Sequence, residues 1–147
     1  MKRRLVLAAA LAGAGAGAIV PISAGAAGRA GAAKQTAKVT LKEYSISGAL
    51  LKPAVFGKAS PLKAGRTTFT FRNTGKFGHN FTIVRTSPGA TKFHSATIAP
   101  GKSQTLTVSL KPGSYVAVCT LFNGFHQAAG MVKAFSVGKF TNGKWGS

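Results

Sequence analysis

Acidic residues are almost absent from this sequence. Among its 147 residues Glu43 is the only acid, against 20 lysines and arginines, so the formal net charge at pH 7 is +19. Glycosidase chemistry, which needs a pair of carboxylates, is therefore excluded, and a Ser-His-Asp triad has no Asp to use. The same imbalance favours acidic or polyanionic partners and speeds encounters with them.

The first residues have the order of a secretory signal peptide. Lys2, Arg3 and Arg4 precede an apolar run over residues 5–20, and the small residues "PISAGAAG" follow. Because Ala24-Gly25-Ala26 fits the A-x-A cleavage rule, we expect a signal peptide over residues 1–26 and a secreted or periplasmic, cell-envelope protein. A retained membrane anchor is the alternative, disfavoured by the short, glycine-rich run. The arginine pair also permits twin-arginine export.

The remaining chain divides by composition into three parts. Residues 27–37 are mostly Ala, Gly, Lys and Gln, which predicts a flexible leader. Residues 38–138 are enough for one domain with one core, and residues 139–147 are predicted to be a loose tail apart from Trp145. Cleavage after residue 26 would leave 17 basic residues against Glu43, a formal charge of +16.

Cysteine is nearly as scarce as acid. Cys119 is the only one, so the chain can form no internal disulfide, although secreted domains of this size often depend on them. A free thiol outside the cell is prone to oxidation. We therefore expect Cys119 to be either buried and inert or held by another group.

Helical periodicity is also nearly absent from residues 38–138. Instead, short runs alternate apolar and polar residues and end at Gly, Pro, Asn or Ser, the pattern of strands separated by turns. These runs cover residues 38–46, 66–75, 79–86, 104–110, 114–120 and 131–137, with a short strand in "SATIAPGKS" and an edge strand plus loop in 49–62. The spacing predicts an all-β fold, a β-sandwich or barrel.

The scarcest soft side chains lie together near the end of this domain. Cys119 ends one predicted strand, Met131 begins the next, and His126 lies between them in the spacing Cys-x6-His-x4-Met. Taken singly, Cys119 and Met131 are ordinary core residues. Together with a histidine from another strand they make a His₂Cys(Met) set, which suits copper. His79 is preferred over His94 as that histidine, because Asn80 and an apolar strand follow it.

These residues carry a resemblance to a known family. "GHNFTI" and, some forty residues later, "YVAVCT…H…AAGM" resemble the cupredoxins, the type 1 (blue) copper proteins that include plastocyanin, azurin and halocyanin. The resemblance implies a Greek-key β-sandwich of about seven to eight strands with one copper at one end. It also implies a set of metal ligands and two neighbouring residues that orient them, namely His79, Cys119, His126 and Met131, with Asn80 and Thr120.

One feature departs from the family pattern. Six residues separate Cys119 from His126, where the family usually has two to four. The longer loop removes no ligand, but it leaves the geometry, colour and potential of the site open.

The function expected from the resemblance is one-electron transfer outside the cytoplasmic membrane, without catalytic residues or enzyme activity. Electrons would pass through an exposed edge of His126, surrounded by an apolar docking patch of Leu121, Phe122, Phe125, Ala128 and Ala129. The alternatives are a protein that stores or delivers copper, and a sandwich that has lost its copper and only binds a partner.

The expected partner is an acidic redox protein or an anionic cell envelope, because the chain is so basic. Nucleic acid is not expected, since the basic residues are scattered and no nucleic-acid motif is present. Peripheral association with a membrane is compatible with the charge. We expect the protein to be a monomer.

Overall fold

A computed structural model describes residues 34–147, which fold into two four-stranded sheets and a hairpin. The predicted signal peptide and most of the predicted leader lie outside the described residues. The strands are β1 (Gln35–Lys42), β2 (Ser45–Ser47), β3 (Gly65–Asn73), β4 (Thr82–Ser87), β5 (Thr91–His94), β6 (Ser103–Leu110), β7 (Gly113–Val118), β8 (Val132–Val137), β9 (Lys139–Thr141) and β10 (Lys144–Gly146), with one helix, α1 (Phe125–Ala128).

The two large sheets form a β-sandwich, which confirms the predicted fold class. The first sheet has the order β2-β1-β3-β6 and the second β5-β4-β7-β8. Strand β1 runs parallel to β3, whereas every other pairing in these sheets is antiparallel. The chain crosses from one sheet to the other after β3, β5 and β6, so strands distant in sequence become neighbours.

Aromatic side chains from both sheets fill the core. Phe69 and Phe71 alternate with polar residues along β3, so both rings point inward. The ring of Phe81, which precedes β4, lies 5.4 Å from Phe69 and 5.2 Å from Phe71 between centroids. Phe135 of β8 lies 6.3 Å from Phe69. Each such ring contributes about 1.5–3 kcal/mol through burial, which holds the sheets together.

The start of the domain differs from the prediction in two ways. Strand β1 begins at Gln35, inside the predicted leader, because residues 35–41 pair in parallel with residues 67–73. The run 38–46, predicted as one strand, is two strands joined by a turn. Lys42 pairs with Ser45, and Tyr44 between them has a φ of 57°, a left-handed conformation that ends β1.

The prediction of a loose tail was wrong. Strands β9 and β10 form a hairpin in which the rings of Phe140 and Trp145 lie 5.0 Å apart. Its turn is Asn142-Gly143, both with positive φ (50° and 72°). Asn-Gly is a strong hairpin signal, since both residues tolerate the left-handed conformation that such a turn requires.

The middle of the chain also differs in detail. The predicted strand 79–86 is regular only from Thr82, while His79 forms an isolated bridge with Ile98. That bridge stands where a short strand was predicted in "SATIAPGKS". Strand β5, which directly precedes this segment, was missed by the sequence pattern. Within residues 34–147, no helix is long and apolar enough to span a membrane.

Tyr115 provides a test of the fold that is independent of the site. Its hydroxyl donates a hydrogen bond to the Lys111 carbonyl (2.7 Å) and accepts one from the Lys111 N–H (3.1 Å). Burial raises the pKa of Tyr115, in keeping with the buried position of its hydroxyl. Tyr115→Phe should lower the free energy of unfolding by about 1–2 kcal/mol in urea titrations.

Tyr44→Phe is the matched control, since Tyr44 is partly exposed and its hydroxyl makes no hydrogen bond to the described residues. A loss as large in the control as in Tyr115→Phe would contradict the role given to the buried hydroxyl.

Candidate metal centre

Three potential ligand side chains meet at one end of the sandwich. The Nδ1 atoms of His79 and His126 lie 3.2 Å apart. The Cys119 Sγ lies 3.4 Å from the His126 Nδ1 and 3.9 Å from the His79 Nδ1. All three residues are buried, and their donor atoms lie within 4.8 Å of one another. The structure therefore brings together three of the four side chains predicted as ligands.

The thiol of Cys119 is held at the end of β7. The side chain is fully buried, and the backbone N–H of Asn80 points at Sγ from 3.5 Å. This backbone contact links the sulfur to the residue that follows His79, so it helps to orient the side chain of Cys119 toward the two histidines.

The fourth predicted ligand, Met131, is tied through its backbone to two of the others. Its N–H donates to the His126 carbonyl (2.9 Å), and its carbonyl accepts from the Cys119 N–H (3.3 Å). The side chain is fully buried. The residue therefore lies beside both Cys119 and His126, directly before β8.

The side chain of Asn80 joins the two ligand-bearing segments. Its Nδ2 donates to the Thr120 Oγ1 (3.0 Å), and its Oδ1 accepts from the Thr120 N–H (2.8 Å). This reciprocal pair links the residue after His79 to the residue after Cys119. Because the Asn80 amide pairs with both the hydroxyl and the backbone N–H of Thr120, the two ligand-bearing segments are held at a fixed distance and orientation.

The loop from Cys119 to His126 folds back through an unusual backbone. Phe122, Asn123 and Gly124 have φ values of 54°, 52° and 84°. Three successive left-handed residues turn the chain sharply, after which α1 begins at Phe125. The longer interval therefore forms a compact turn and one helical turn, and it brings His126 back onto the cysteine.

These residues fit a metal of borderline to soft character. Two imidazoles with a thiolate, and a thioether close by, match copper better than calcium or magnesium, which prefer oxygen. Burial, and then the neighbouring His126, lowers the pKa of His79, while Glu43 opposes the shift. His79 is therefore neutral at pH 7, which is the form that donates a lone pair to a metal.

His126 is not exposed at an edge, contrary to the prediction. The residue is only 3% exposed. Its ring is surrounded by Tyr44, Phe122 and Phe125 at centroid distances of 5.8, 4.9 and 6.3 Å. Together with Phe77 these side chains line a shallow depression above His126. We call Tyr44, Phe77, Phe122 and Phe125 the aromatic rim.

The predicted docking patch is only partly at the surface. Phe122 and Phe125 are 65% and 58% exposed, and Ala128 and Ala129 are exposed as well. Leu121, in contrast, is half-buried and packs against the core. Tyr44 and Phe77 belong to the same surface, but the sequence pattern placed neither there because both come from distant turns.

Glu43 is the other neighbour that the sequence reasoning missed. Its Oε1 lies 3.9 Å from the His79 Nε2. The sequence feature that could have singled out Glu43 is that it is the only acidic residue in the chain. His94, by comparison, lies exposed at the end of β5 and is not part of the cluster.

The comparisons with known proteins establish the fold. A sequence profile described as HYDIN/CFA65/VesB-like, Ig-like domain matches residues 53–122, less than half of the chain. No curated protein sequence matches. Among solved structures, auracyanin from Roseiflexus castenholzii is 22% identical with a TM-score of 0.52, over 73% of this chain and 98% of that one.

Two further solved structures are similar to this chain in the same way. Auracyanin A, a "blue" copper protein from Chloroflexus aurantiacus, is 15% identical with a TM-score of 0.53, over 71% of this chain and 99% of that one. A blue copper oxidase from Nitrosomonas europaea is 14% identical with a TM-score of 0.51, over 75% of this chain and 40% of that one. The chain therefore has the cupredoxin fold that the resemblance implied.

Asn80 provides a test of how the site is held. Asn80→Ala removes both bonds to Thr120 and leaves a half-buried N–H without its partner. We expect a loss of about 1–3 kcal/mol in unfolding free energy and a roughly 10–100-fold weaker affinity for copper. Urea titration and competition with a copper chelator measure the two effects.

Thr120→Val is the graded control, because it removes only the hydroxyl bond and keeps the backbone one. Its losses should be smaller on both measures. Equal losses, or unchanged copper affinity in Asn80→Ala, would contradict the linking role of Asn80.

Proposed function

We propose that this chain is an exported type 1 copper protein that carries single electrons between redox partners. One copper ion would be held by His79, Cys119, His126 and Met131. Bound there, it would supply a centre that cycles between Cu(II) and Cu(I). The observation that carries the proposal is the convergence of two imidazole Nδ1 atoms and one thiol within 4.8 Å in a buried position.

The chain's own residues favour fast one-electron exchange. Asn80 and Thr120 fix the segments that carry His79 and Cys119, and α1 places His126. A site whose donor side chains are fixed by the protein reorganises little when its charge changes. The two imidazoles serve both oxidation states, and sulfur favours the reduced one.

Burial supports electron transfer over substrate turnover and over copper delivery. All four proposed ligands are at most 3% exposed, so a substrate cannot reach them without rearrangement. Copper delivery would also require that the ion leave through the covering side chains. Electrons cross such a cover without any group moving.

The aromatic rim is the proposed contact surface. The ring of Phe122 is well exposed and lies 4.9 Å from the His126 ring, so it connects the buried imidazole to the surface. Small apolar interfaces suit brief encounters. Because the chain carries a single acid, the proposed partner is an acidic redox protein, steered by the lysines and arginines. The signal peptide expected over residues 1–26 supports a site of action in the cell envelope or outside the cell.

Cys119→Ser tests the ligand assignment. The wild-type protein without its signal peptide, loaded with Cu(II), should show an intense visible charge-transfer band that the serine variant lacks, because the band requires a copper–thiolate bond. Visible and EPR spectra measure it. His94→Ala is the control and should keep the band, since His94 lies outside the cluster. A band that survives Cys119→Ser would show that the metal binds elsewhere.

Salt dependence tests the steering. Oxidation of the reduced protein by anionic hexacyanoferrate(III) should slow as ionic strength rises, whereas oxidation by a cationic cobalt(III) complex should accelerate. Phe122→Ala should change the rate with either reagent at every salt concentration but leave the salt slope unchanged, because it alters the contact and not the charge. Stopped-flow absorbance gives the rates. The same salt slope for both reagents would contradict electrostatic steering.

A further inference from the structure

The imidazole of His79 presents its two nitrogens to different surroundings. Its Nδ1 faces Cys119 and His126. Its Nε2 is buried without a hydrogen-bond partner, and Glu43 Oε1 is 3.9 Å away. That separation is too long for a hydrogen bond but short enough for a strong charge–dipole attraction. The lone carboxylate of the chain therefore lies behind a proposed ligand.

The carboxylate of Glu43 is held in this place by the loop before His79. The backbone N–H groups of Lys76 and Phe77 both donate to its Oε1, the second at 3.0 Å. Residue 75 is a glycine, and a Cβ atom at this position would overlap the Glu43 carboxylate. The loop thus both binds the carboxylate and leaves room for it.

The loop itself is fixed from its other side by Asn73, which is fully buried. The Asn73 side chain donates to the carbonyls of Phe77 (2.7 Å) and Ile98 (2.9 Å) and accepts from the Gly75 N–H (2.9 Å). The loop that holds the Glu43 carboxylate is therefore itself anchored to the core, although the carboxylate is partly exposed.

The choice of neighbour is also informative. Glu43 belongs to a chain rich in lysine and arginine, yet among residues 34–147 the only basic side chain with a nitrogen within 4.0 Å of its carboxylate oxygens is that of His79. A surface acid in so basic a protein would be expected to pair with a lysine or arginine. The fold instead directs it at an imidazole.

We propose that Glu43 is a positioning residue that sets the tautomer of His79, keeping the ring proton on Nε2 and leaving the Nδ1 lone pair free for the metal. The inference rests on the proposed function for its metal, although the tautomer itself is a property of the metal-free chain. A neutral imidazole carries one ring proton. A carboxylate only accepts, so it stabilises the tautomer whose N–H faces it, as acidic partners of metal-binding histidines do.

Nuclear magnetic resonance of the metal-free protein tests the tautomer directly. Two-bond ¹H–¹⁵N correlation spectra at pH 8, where an ordinary histidine is neutral, distinguish an Nε2–H ring from an Nδ1–H ring. The wild-type His79 should be the Nε2–H form. In Glu43→Ala the Nδ1–H form should become at least several-fold more populated, and Glu43→Gln, which keeps an acceptor oxygen, should lie between. Exposed His94 is the internal control and should not change.

Copper binding gives the second readout. Glu43→Ala and Glu43→Gln should both weaken Cu(II) binding roughly 10–100-fold, and both should raise the reduction potential, because the lost negative charge favoured Cu(II) over Cu(I). Ser147→Lys is the control for net charge. It shifts the formal charge by the same amount at the far end of the chain and should leave affinity and potential unchanged.

Gly75→Ala separates the position of the carboxylate from its presence. The added methyl group displaces the carboxylate while the charge of the chain stays the same, so it should reproduce the tautomer change of Glu43→Ala. It also serves if the Glu43 variants fail to fold, which their amide spectra reveal.

The two proposals fail in different ways. If His79 keeps the wild-type tautomer in folded Glu43→Ala and in Gly75→Ala, or if copper affinity stays within twofold of wild type, the role of Glu43 is overturned. If the wild-type protein takes up no copper, the proposed function is overturned, and the tautomer spectra still decide the role of Glu43.

Discussion

The close approach of two imidazoles to one thiol, all three buried, is the contact on which the rest of the structure depends. Polar groups buried in this way cost free energy unless they are paired, and the His79 Nδ1, the His126 Nδ1 and the Cys119 sulfur lie only 3.2–3.9 Å from one another. Three side-chain donor atoms that converge in this way, none of them from an acidic residue, are suited to bind one cation together. Their convergence is the reason for treating this end of the sandwich as a metal centre.

Both sheets contribute to the centre, in different ways. The proposed ligands all lie in segments that flank strands of the second sheet, since His79 precedes β4, Cys119 directly follows β7, and His126 and Met131 lie between β7 and β8. Two of the surrounding contacts come from the first sheet, where the two-residue turn between β1 and β2 directs Glu43 at His79 and Tyr44 at His126. The aromatic core that holds the two sheets together therefore also holds the ligand-bearing segments next to the turn that carries Glu43 and Tyr44.

The parts predictable from sequence are those written in local patterns and rare residues. Alternation in 66–75, 104–110 and 114–120 predicted β3, β6 and β7, because one face of each strand is buried. The scarcity of Cys119 and the residues around His79 singled out the cluster. The cover over His126 and the placement of Glu43 were not predictable, because both depend on a left-handed turn at Tyr44 and on contacts between segments far apart in the chain. The Asn142-Gly143 hairpin was a local signal that the prediction overlooked.

X-ray absorption at the copper edge of the loaded wild-type protein tests the central claim most directly. The account predicts one short sulfur neighbour and two nitrogen neighbours for each copper ion, with the thiol of Cys119 unreactive toward thiol reagents. A spectrum with only nitrogen and oxygen neighbours, in a protein whose thiol is still free, would contradict it.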